Sequence, residues 1–195
     1  MALNYSDVIN KQVELSFTPP QNFFLAVDKL PSIMYTCQQI NVPTISGGEA
    51  VLSNRLNPPR TYIPGDGLDY SQMDVVFLLD KKFVGYRAVL EWLKGINMPE
   101  STDQYVDWTS GKNNPGRNDP KFSKTMSNMT LFGTSADNKP IMQWNIYNAF
   151  PISLDGPQYD ATNADIEYLT AAVSFRYSYF THQTYTNGKL NVDPI

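Results

Sequence analysis

A strict alternation of apolar and polar residues near the end of the chain constrains the fold more than any other sequence feature. From Leu169 to Tyr179 the odd positions are apolar or aromatic, and the even positions include Thr170, Ser174 and Arg176. A period of two places successive side chains on opposite faces of a β-strand. The segment therefore predicts a strand of about ten residues, with one face on the core and the other facing solvent.

Other segments predict further strands, bounded by turn-forming residues. Residues 23–27 and 33–42 predict one hairpin, and residues 124–133 and 141–149 predict a second. Residues 68–79 predict one long strand whose second half is apolar on both faces, which indicates burial on both sides.

One helix is predicted after these first strands. Asp80 can accept hydrogen bonds from the first turn of the helix, and Gly95 is a C-terminal stop signal. Between them, apolar residues recur at helical spacing: Phe83, Tyr86, Val89, Leu90 and Leu93. Residues 97–121 are rich in proline, glycine and asparagine and predict a long surface loop. The pattern predicts a mainly β fold, an antiparallel β domain of about six or seven strands with one helix.

The chain length of 195 residues predicts a single domain over residues 1–195. Residues 1–20 are interpreted as an N-terminal arm, because Pro19 and Pro20 interrupt regular structure at its end. Residues 181–195 are interpreted as a polar C-terminal tail. Residues 43–67 hold several glycines and prolines around two short strand-like pieces, which predicts a projecting loop or hairpin.

Composition excludes several classes of function. Cys37 is the only cysteine, so neither an internal disulfide nor a cysteine-rich zinc site can form, and we interpret it as a buried, inert residue. A net charge of −4 argues against a surface that grips nucleic acid. Sequence hydrophobicity predicts no membrane segment, and the N-terminus lacks the pattern of a secretory signal. We therefore expect the protein to be synthesised in the cytoplasm and to work where it is synthesised.

The search for catalytic or ligand-binding residues predicts none. His182 is the only histidine and falls in the predicted tail, where a catalytic triad or metal site would lack partners. Two acidic groups, Asp66 with Asp69 and Asp155 with Asp160 and Asp165, lack the ligand spacing of a calcium loop, and we interpret them as turn residues at strand ends.

Basic residues and glycines indicate no nucleotide or nucleic-acid site either. Gly47 and Gly48 precede strand-like residues, without the lysine and helix of a phosphate-binding loop. The basic residues near this part of the chain are scattered among acids: Arg55, Arg60, Lys81, Lys82 and Arg87. We therefore predict no cofactor, no metal and no enzymatic activity.

The order of these pieces resembles the tail-tube proteins of T4-like contractile bacteriophages. The resemblance rests on Cys37-Gln38-Gln39-Ile40-Asn41-Val42-Pro43, on Asp66-Gly67-Leu68-Asp69-Tyr70 leading into Met73–Phe77, and on Val89-Leu90-Glu91-Trp92. Phe150-Pro151-Ile152-Ser153-Leu154-Asp155, the acidic segment 160–167 and the final strand add to it. It covers residues 22–95 and 122–180, and the loop 97–121 and the tail depart from the family pattern.

The resemblance implies an antiparallel β-barrel or sandwich of two packed sheets with one flanking helix. It also implies a virion protein that assembles with itself into hexameric rings. The rings would stack into the inner tube of a contractile tail, with sheath and baseplate proteins as partners and with DNA passing through the lumen without specific binding. By the same analogy, the segment after Pro43 reaches the adjacent ring. The predicted contacts between rings are the apolar residues of this segment: Val51, Leu52, Leu56, Tyr62 and Ile63. The candidate contacts of the N-terminal arm are Tyr5, Val8 and Ile9.

Three other interpretations remain open from the sequence. A baseplate protein that initiates the tube, or a ring protein of a bacterial secretion system, would share the fold. A carbohydrate-binding β-sandwich would use the abundant aromatic side chains as stacking surfaces for sugars. The apolar residues of segment 43–67 also have an alternative, in which they fold back onto the chain's own core.

Overall fold

The structure is a computed structural model that describes residues 20–33, 36–52, 61–110, 125–159, 168–186 and 189–191. The predicted arm contacts Tyr5, Val8 and Ile9, and Leu56 of the projecting segment, lie outside these ranges. The described strands are β1 Phe23–Val27, β2 Cys37–Ile40, β3 Ile45–Leu52, β4 Thr61–Tyr70, β5 Met73–Leu78, β6 Ser127–Thr134, β7 Pro140–Leu154, β8 Thr170–Arg176, β9 Tyr179–Thr186 and β10 Lys189–Asn191. The described helices are α1 Val84–Asn97 and α2 Asp103–Ser110.

The body of the protein consists of two antiparallel sheets that share the long strand β7. The first half of β7 pairs with β6 and β9, and its second half pairs with β8. We call β1, β6, the first half of β7, β9 and β10 the β9 sheet, and β2, β5, β8 and the second half of β7 the β8 sheet. The mainly antiparallel β fold predicted from the sequence is confirmed, although the described strands outnumber the six or seven expected.

The strand β7 changes sheets at Asn148, whose backbone is left-handed with φ of 56°. Asparagine tolerates this region better than most residues. The bend is fixed on both sides: the Asn148 N–H donates to Asn128 Oδ1 at 3.4 Å, and its Nδ2 donates to Ser178 Oγ at 3.3 Å. The two sheets therefore fold over one another at a hydrogen-bonded corner.

The core lies between the two sheets and is completed by α1. Leu25, Met129 and Ile146 point inward from the β9 sheet, while Phe77 and Phe175 point inward from the β8 sheet, and all are fully buried. Helix α1 adds Val89 and Trp92 to the same cluster. The Trp92 ring lies 6.1 Å from Phe175, and its Nε1–H donates to the Thr125 carbonyl at 2.8 Å. The helix thus belongs to the core of the domain.

The predicted hairpin over residues 23–42 is wrong. β1 pairs with β6, and β2 pairs with β5, so the two strands belong to different sheets. The described residues between them form a 3₁₀ turn at Pro31–Ile33; Ile33 in this turn and Leu30 just before it are buried. Because these two side chains fill the core, the connection crosses from one sheet to the other instead of reversing in a surface turn.

Two strands that were predicted as continuous are interrupted. The predicted strand 68–79 divides at Ser71 and Gln72 into β4 and β5, and the predicted strand from Leu169 divides at Tyr177 and Ser178 into β8 and β9. At Tyr177 the apolar alternation continues to Tyr179, so the sequence pattern hides that break. At Ser71 the apolar positions change phase, from Leu68 and Tyr70 to Met73 and Val75. Strands β9 and β10 also occupy part of the predicted tail 181–195, which is therefore not simply a tail.

Helix α1 begins as predicted but ends later than predicted. The N–H of Val84 donates to Asp80 Oδ1 at 2.8 Å, which confirms the cap. The helix continues through Gly95 and ends after Asn97, where the Met98 N–H donates to the Lys94 carbonyl. Gly95 is buried because Trp108 packs on it, and a Cβ there would lie 2.5 Å from Trp108 Cγ. The glycine serves helix packing and not helix termination.

Helix α2 lies inside the predicted loop 97–121, so that prediction is wrong for residues 103–110, and residues 111–121 lie outside the described ranges. Trp108 gives α2 its attachment, stacking on Trp92 at 6.2 Å with 15° between the ring planes. Lys29, only 3% exposed, places its Nζ 5.7 Å from the Trp92 ring and 5.8 Å from the Trp108 ring. The loop was predicted from the content of proline, glycine and asparagine over residues 97–121, and this composition gave no indication that Trp108 packs on α1.

We expect Gly95→Leu to destabilise the protein by about 2 kcal/mol, because the new side chain must displace Trp108 from its contact with α1. Urea unfolding and the near-ultraviolet circular dichroism of the tryptophans measure the effect. Gly156→Leu is the matched control, since a Cβ at Gly156 meets nothing within 4 Å. Equal stability of the two variants would contradict the close packing of α2 on α1.

Lys29 gives the stability of the protein a pH dependence. Burial lowers the pKa of Lys29 to about 8 from its ordinary value of 10.5, so the unfolded chain binds more protons than the folded chain between these values. The wild type should therefore gain stability relative to the Lys29→Met variant as the pH rises. The difference between their free energies of unfolding should increase by about 2 kcal/mol between pH 7 and pH 10. Chemical denaturation of both proteins across this range measures the difference. A difference that stays constant with pH would contradict the effect of burial.

Candidate assembly surface

Strands β3 and β4 form a two-stranded hairpin that pairs with no other described strand. Their register runs from Ile45 opposite Tyr70 at the base to Leu52 opposite Thr61 at the far end. The predicted projecting hairpin is therefore present, and it is longer than the two short pieces read from the sequence. A hairpin of this kind is only marginally stable without further packing, so its surroundings decide its conformation.

The base of the hairpin is held to the body by hydrogen bonds and aromatic contacts. Thr44 and Ser71 are joined twice, by the Ser71 N–H to the Thr44 carbonyl at 3.0 Å and by the Thr44 N–H to Ser71 Oγ at 2.8 Å. Arg176 Nη1 donates to the Tyr70 carbonyl at 3.3 Å. The Tyr70 ring meets the edges of Tyr177 at 6.0 Å and of Phe180 at 5.6 Å. These contacts set the direction in which the hairpin leaves the sheets.

Tyr177 supports the base as a buried aromatic ring. Its hydroxyl is buried and has no hydrogen-bond partner among the described residues. Burial raises the pKa of Tyr177, the neighbouring Tyr70 adds to this shift and Arg176 opposes it, with a net pKa of about 12. The phenol therefore stays protonated and neutral, as an aromatic contact beneath Tyr70.

A close approach of two glycines divides the hairpin into two halves. A Cβ on Gly65 would lie 2.8 Å from the carbonyl carbon of Gly48, so only glycine fits there. The strand register shifts at the same place, between Gly47 and Glu49. Beyond this point lies the far half of the hairpin, Glu49–Leu52 paired with Thr61–Pro64, which we call the tip.

The tip carries exposed apolar side chains on both faces. Val51 lies opposite Tyr62, and Ala50 lies opposite Ile63 on the other face. Val51 is 47% exposed, Tyr62 57% and Ile63 40%, so these three do not fold back onto the chain's own core. Of the predicted contact residues, the structure brings together Val51, Tyr62 and Ile63, and it places Leu52 in the same strand as Val51. Their role in a contact between rings stays a prediction.

The sequence interpretation missed apolar residues nearer the base. Leu68 is 65% exposed and lies opposite Gly47, and Ile45 and Val42 are also exposed. Leu68 was interpreted as the first residue of one long strand over 68–79, of which only the second half was predicted to be buried. Its exposure is explained by Gly47 on the paired strand, because a leucine opposite a glycine has no cross-strand side chain to pack on.

The predicted chemistry-bearing residues form no site. Cys37 lies in β2 and is half-buried instead of fully buried. Burial raises its pKa to about 11, and a backbone hydrogen bond from Gln39 opposes this shift. A thiol with that pKa stays protonated and is a poor nucleophile. His182 lies in β9 opposite Trp144 and is exposed, so its predicted place in a tail is wrong.

The acidic groups do not converge either. Asp66 and Asp69 lie within β4, so their interpretation as turn residues is wrong. The Asp155 N–H donates to the Ala172 carbonyl at 2.8 Å just after β7, while Asp160 and Asp165 lie outside the described residues. Across the described ranges, no cluster of three histidine, cysteine or acidic residues has the placement of a metal site. Neither described helix has the length and hydrophobicity needed to cross a membrane.

This protein is similar to known proteins in structure, and no similarity in sequence was found. No family model matches the sequence, and no curated protein matches it. Solved structures do match. A chain of the anti-feeding prophage tube-terminating cap aligns with a TM-score of 0.61 at 17% identity, over 91% of this chain and 97% of that one.

Two further structures agree with this match. A chain of the PVC sheath–tube complex, an extracellular contractile injection system in its extended state, aligns with a TM-score of 0.54 at 16% identity, over 94% of this chain and 100% of that one. A chain of the anti-feeding prophage baseplate aligns with a TM-score of 0.58 at 11% identity, over 86% and 95%. The chain therefore has the tail-tube-like fold predicted from the resemblance.

Proposed function

We propose that this protein is the subunit of the inner tube of a contractile phage tail. Copies form hexameric rings, and the rings stack into a hollow tube with the β3–β4 hairpin as the contact between rings. The observation that carries the proposal is the apolar tip, exposed on both faces at the end of a hairpin whose base is held to a tail-tube-like body.

The tip has a physical need for a partner. Fully burying a valine, isoleucine or similar side chain stabilises a contact by about 1.5 to 3 kcal/mol, and the three exposed side chains of the tip offer this gain only to another surface. Exposed apolar clusters on a soluble protein mark interaction sites. In a ring the contact repeats in every copy, so a modest gain per hairpin stabilises the stack.

The remaining features of the proposal follow from the tube. DNA would pass through the lumen without specific binding, which agrees with a net charge of −4. Sheath and baseplate proteins would be the other partners, and the protein would reside in the tail of the virion after synthesis in the host cytoplasm. The matched chains come from a tube cap, a sheath–tube complex and a baseplate, which supports a structural and non-enzymatic role.

Related functions predict different assemblies. A baseplate protein that initiates the tube would form a single ring that does not extend itself. A carbohydrate-binding β-sandwich would stay monomeric and bind sugar polymers. A secretion-system ring protein would form the same rings outside a virion. The assembly state of the purified protein therefore separates most of these functions.

We expect Val51→Asp to abolish tube formation and leave the subunit folded. A carboxylate in the tip cannot be buried against an apolar surface without a large desolvation cost, whereas an exposed position changes the free energy of unfolding by only about 0.5 kcal/mol. Sedimentation velocity and negative-stain microscopy at matched concentrations measure assembly, and thermal unfolding measures the fold.

Val106→Asp is the matched control, since Val106 lies on α2 and is exposed to a similar degree. This variant should form tubes as the wild type does. Tubes of normal length from Val51→Asp would refute the tip as a contact between rings.

A further inference from the structure

A groove of about 410 Å³ opens on one side of the body, between β1 and β2. Its apolar lining comes from both sheets and from the segment after β2: Phe23, Ile40, Val42, Leu131 and Trp144. Gln38 and Gln39 add amide groups, and none of the lining residues carries a charge. The groove therefore favours an occupant with an uncharged, apolar face.

The groove lies between two strand edges that have no partner among the described strands. In this part of the chain β1 pairs only with β6, and β2 pairs only with β5. An unpaired edge presents a row of free backbone N–H and C=O groups, and proteins commonly cover such edges to prevent pairing with another chain. One segment lying in the groove would shield the apolar lining and both edges.

The chain itself enters the body at this groove. Pro20 and Asn22 belong to the groove lining, and Pro20 and Gln21 form a turn just before β1. Asn22 is fixed by two hydrogen bonds, because its carbonyl accepts from the Thr134 N–H at 2.9 Å and its Nδ2 donates to the Ser135 carbonyl at 2.9 Å. The residues before Pro20 therefore start from a fixed point in the groove.

The sequence before Pro20 has the pattern of a segment with one apolar face. Over residues 13–18 apolar and polar side chains alternate, with the apolar positions at Val13, Leu15 and Phe17. Alternate side chains of an extended chain lie on opposite faces, so the apolar face carries no charge and Glu14 belongs to the other face. Leu15 is five residues from Pro20 and therefore within about 18 Å of it. The segment matches the groove in polarity and is close enough to reach it.

We infer that residues 13–17 occupy the groove of their own chain and cover the edges of β1 and β2. The three apolar side chains lie on the groove lining, and the polar side chains between them face solvent. The occupant is the chain's own segment and not that of a second copy, because a tether of a few residues gives an effective concentration in the millimolar range. The inference goes beyond the proposed function, since it holds for a single subunit.

Such a cover protects the subunit before it assembles. With the groove open, the free edges of β1 and β2 would be available for pairing with the strands of any other copy. With residues 13–17 in place, these edges are shielded, and the hairpin tip stays exposed. The segment therefore limits the ways in which single subunits associate.

Disulfide formation within one chain tests the position of the segment. In a Cys37→Ser background, Leu15→Cys is combined with Val42→Cys, and dilute protein that sediments as single subunits is treated with oxidised glutathione. We expect an intrachain disulfide, seen as a faster-migrating monomer on non-reducing gels. It should form about tenfold faster than in the control, because docking holds the two thiols together. The control pair, Ser16→Cys with Val42→Cys, has a similar tether but places its thiol on the outer face.

Two results of this experiment would overturn the inference. Equal rates from the two pairs would mean that the segment is tethered near the groove without docking in it. Rapid covalent dimers from a mixture of Leu15→Cys subunits with Val42→Cys subunits would mean that the occupant comes from a second copy. Both measurements use unassembled protein, so their failure leaves the proposed tube function standing.

Trp144 reports whether the groove is covered in the full chain. Trp92 and Trp108 are buried, so Trp144 in the groove is the tryptophan that acrylamide reaches most readily. A carboxylate is costly to bury, so Leu15→Asp should raise the fraction of subunits with an open groove by more than about tenfold. Fluorescence quenching by acrylamide, corrected with the Trp144→Phe variant, measures this fraction. The matched variant Ser16→Asp should quench like the wild type, and equal quenching of the two variants would contradict a docked segment.

Discussion

The bend of β7 at Asn148 is the constraint on which the two-sheet body depends. One strand supplies the partner for β6 and β9 before the bend and for β8 after it, so both sheets are joined through a continuous backbone. A left-handed residue with two side-chain-mediated hydrogen bonds fixes the angle between the halves. Without this corner, the inward faces carrying Ile146 and Phe175 would not face each other, and α1 would have no cleft for Trp92.

The hairpin depends on the same arrangement, because its base is held by residues at the junction between β8 and β9. Arg176 ends β8, Tyr177 lies in the break, and Phe180 begins the inner face of β9. All three contact Tyr70, the last residue of β4. A feature of the core, the transfer of the chain from one sheet to the other, therefore also determines where the hairpin points. Beyond the close approach of Gly48 and Gly65, the described residues of the hairpin make no such contacts, and the apolar side chains of the tip are exposed.

Much of this architecture was predictable from local patterns, and the errors share one physical origin. Alternation at residues 169–179 and helical spacing after Asp80 identified strands and a helix correctly, because burial on one face leaves a periodic signal. Periodicity cannot report which strand pairs with which, so the separation of β1 from β2 was not predictable. The alternation continues to Tyr179 and hides the break at Tyr177, whereas the apolar positions change phase at Ser71. Gly95 was predicted to end the helix for a related reason. In the sequence alone, a glycine on which a distant tryptophan packs cannot be distinguished from a glycine that ends a helix, so the contact between Gly95 and Trp108 was not predicted. Val51, Tyr62 and Ile63 were predicted to be apolar residues that their own segment cannot bury, and the structure exposes them. Leu68 received no such prediction, because it was interpreted as the start of a continuous strand.

The proposed function joins the tail-tube-like fold to a surface that is incomplete in the isolated chain. Cryo-electron microscopy of the concentrated wild-type protein tests this most directly, because a reconstruction shows both the assembly and the position of the hairpin. The account predicts hollow tubes of stacked six-membered rings in which the tip, with Val51 and Tyr62, is buried against a subunit of the adjacent ring. Discrete monomers at the same concentration, or tubes in which the tip points into solvent, would contradict it.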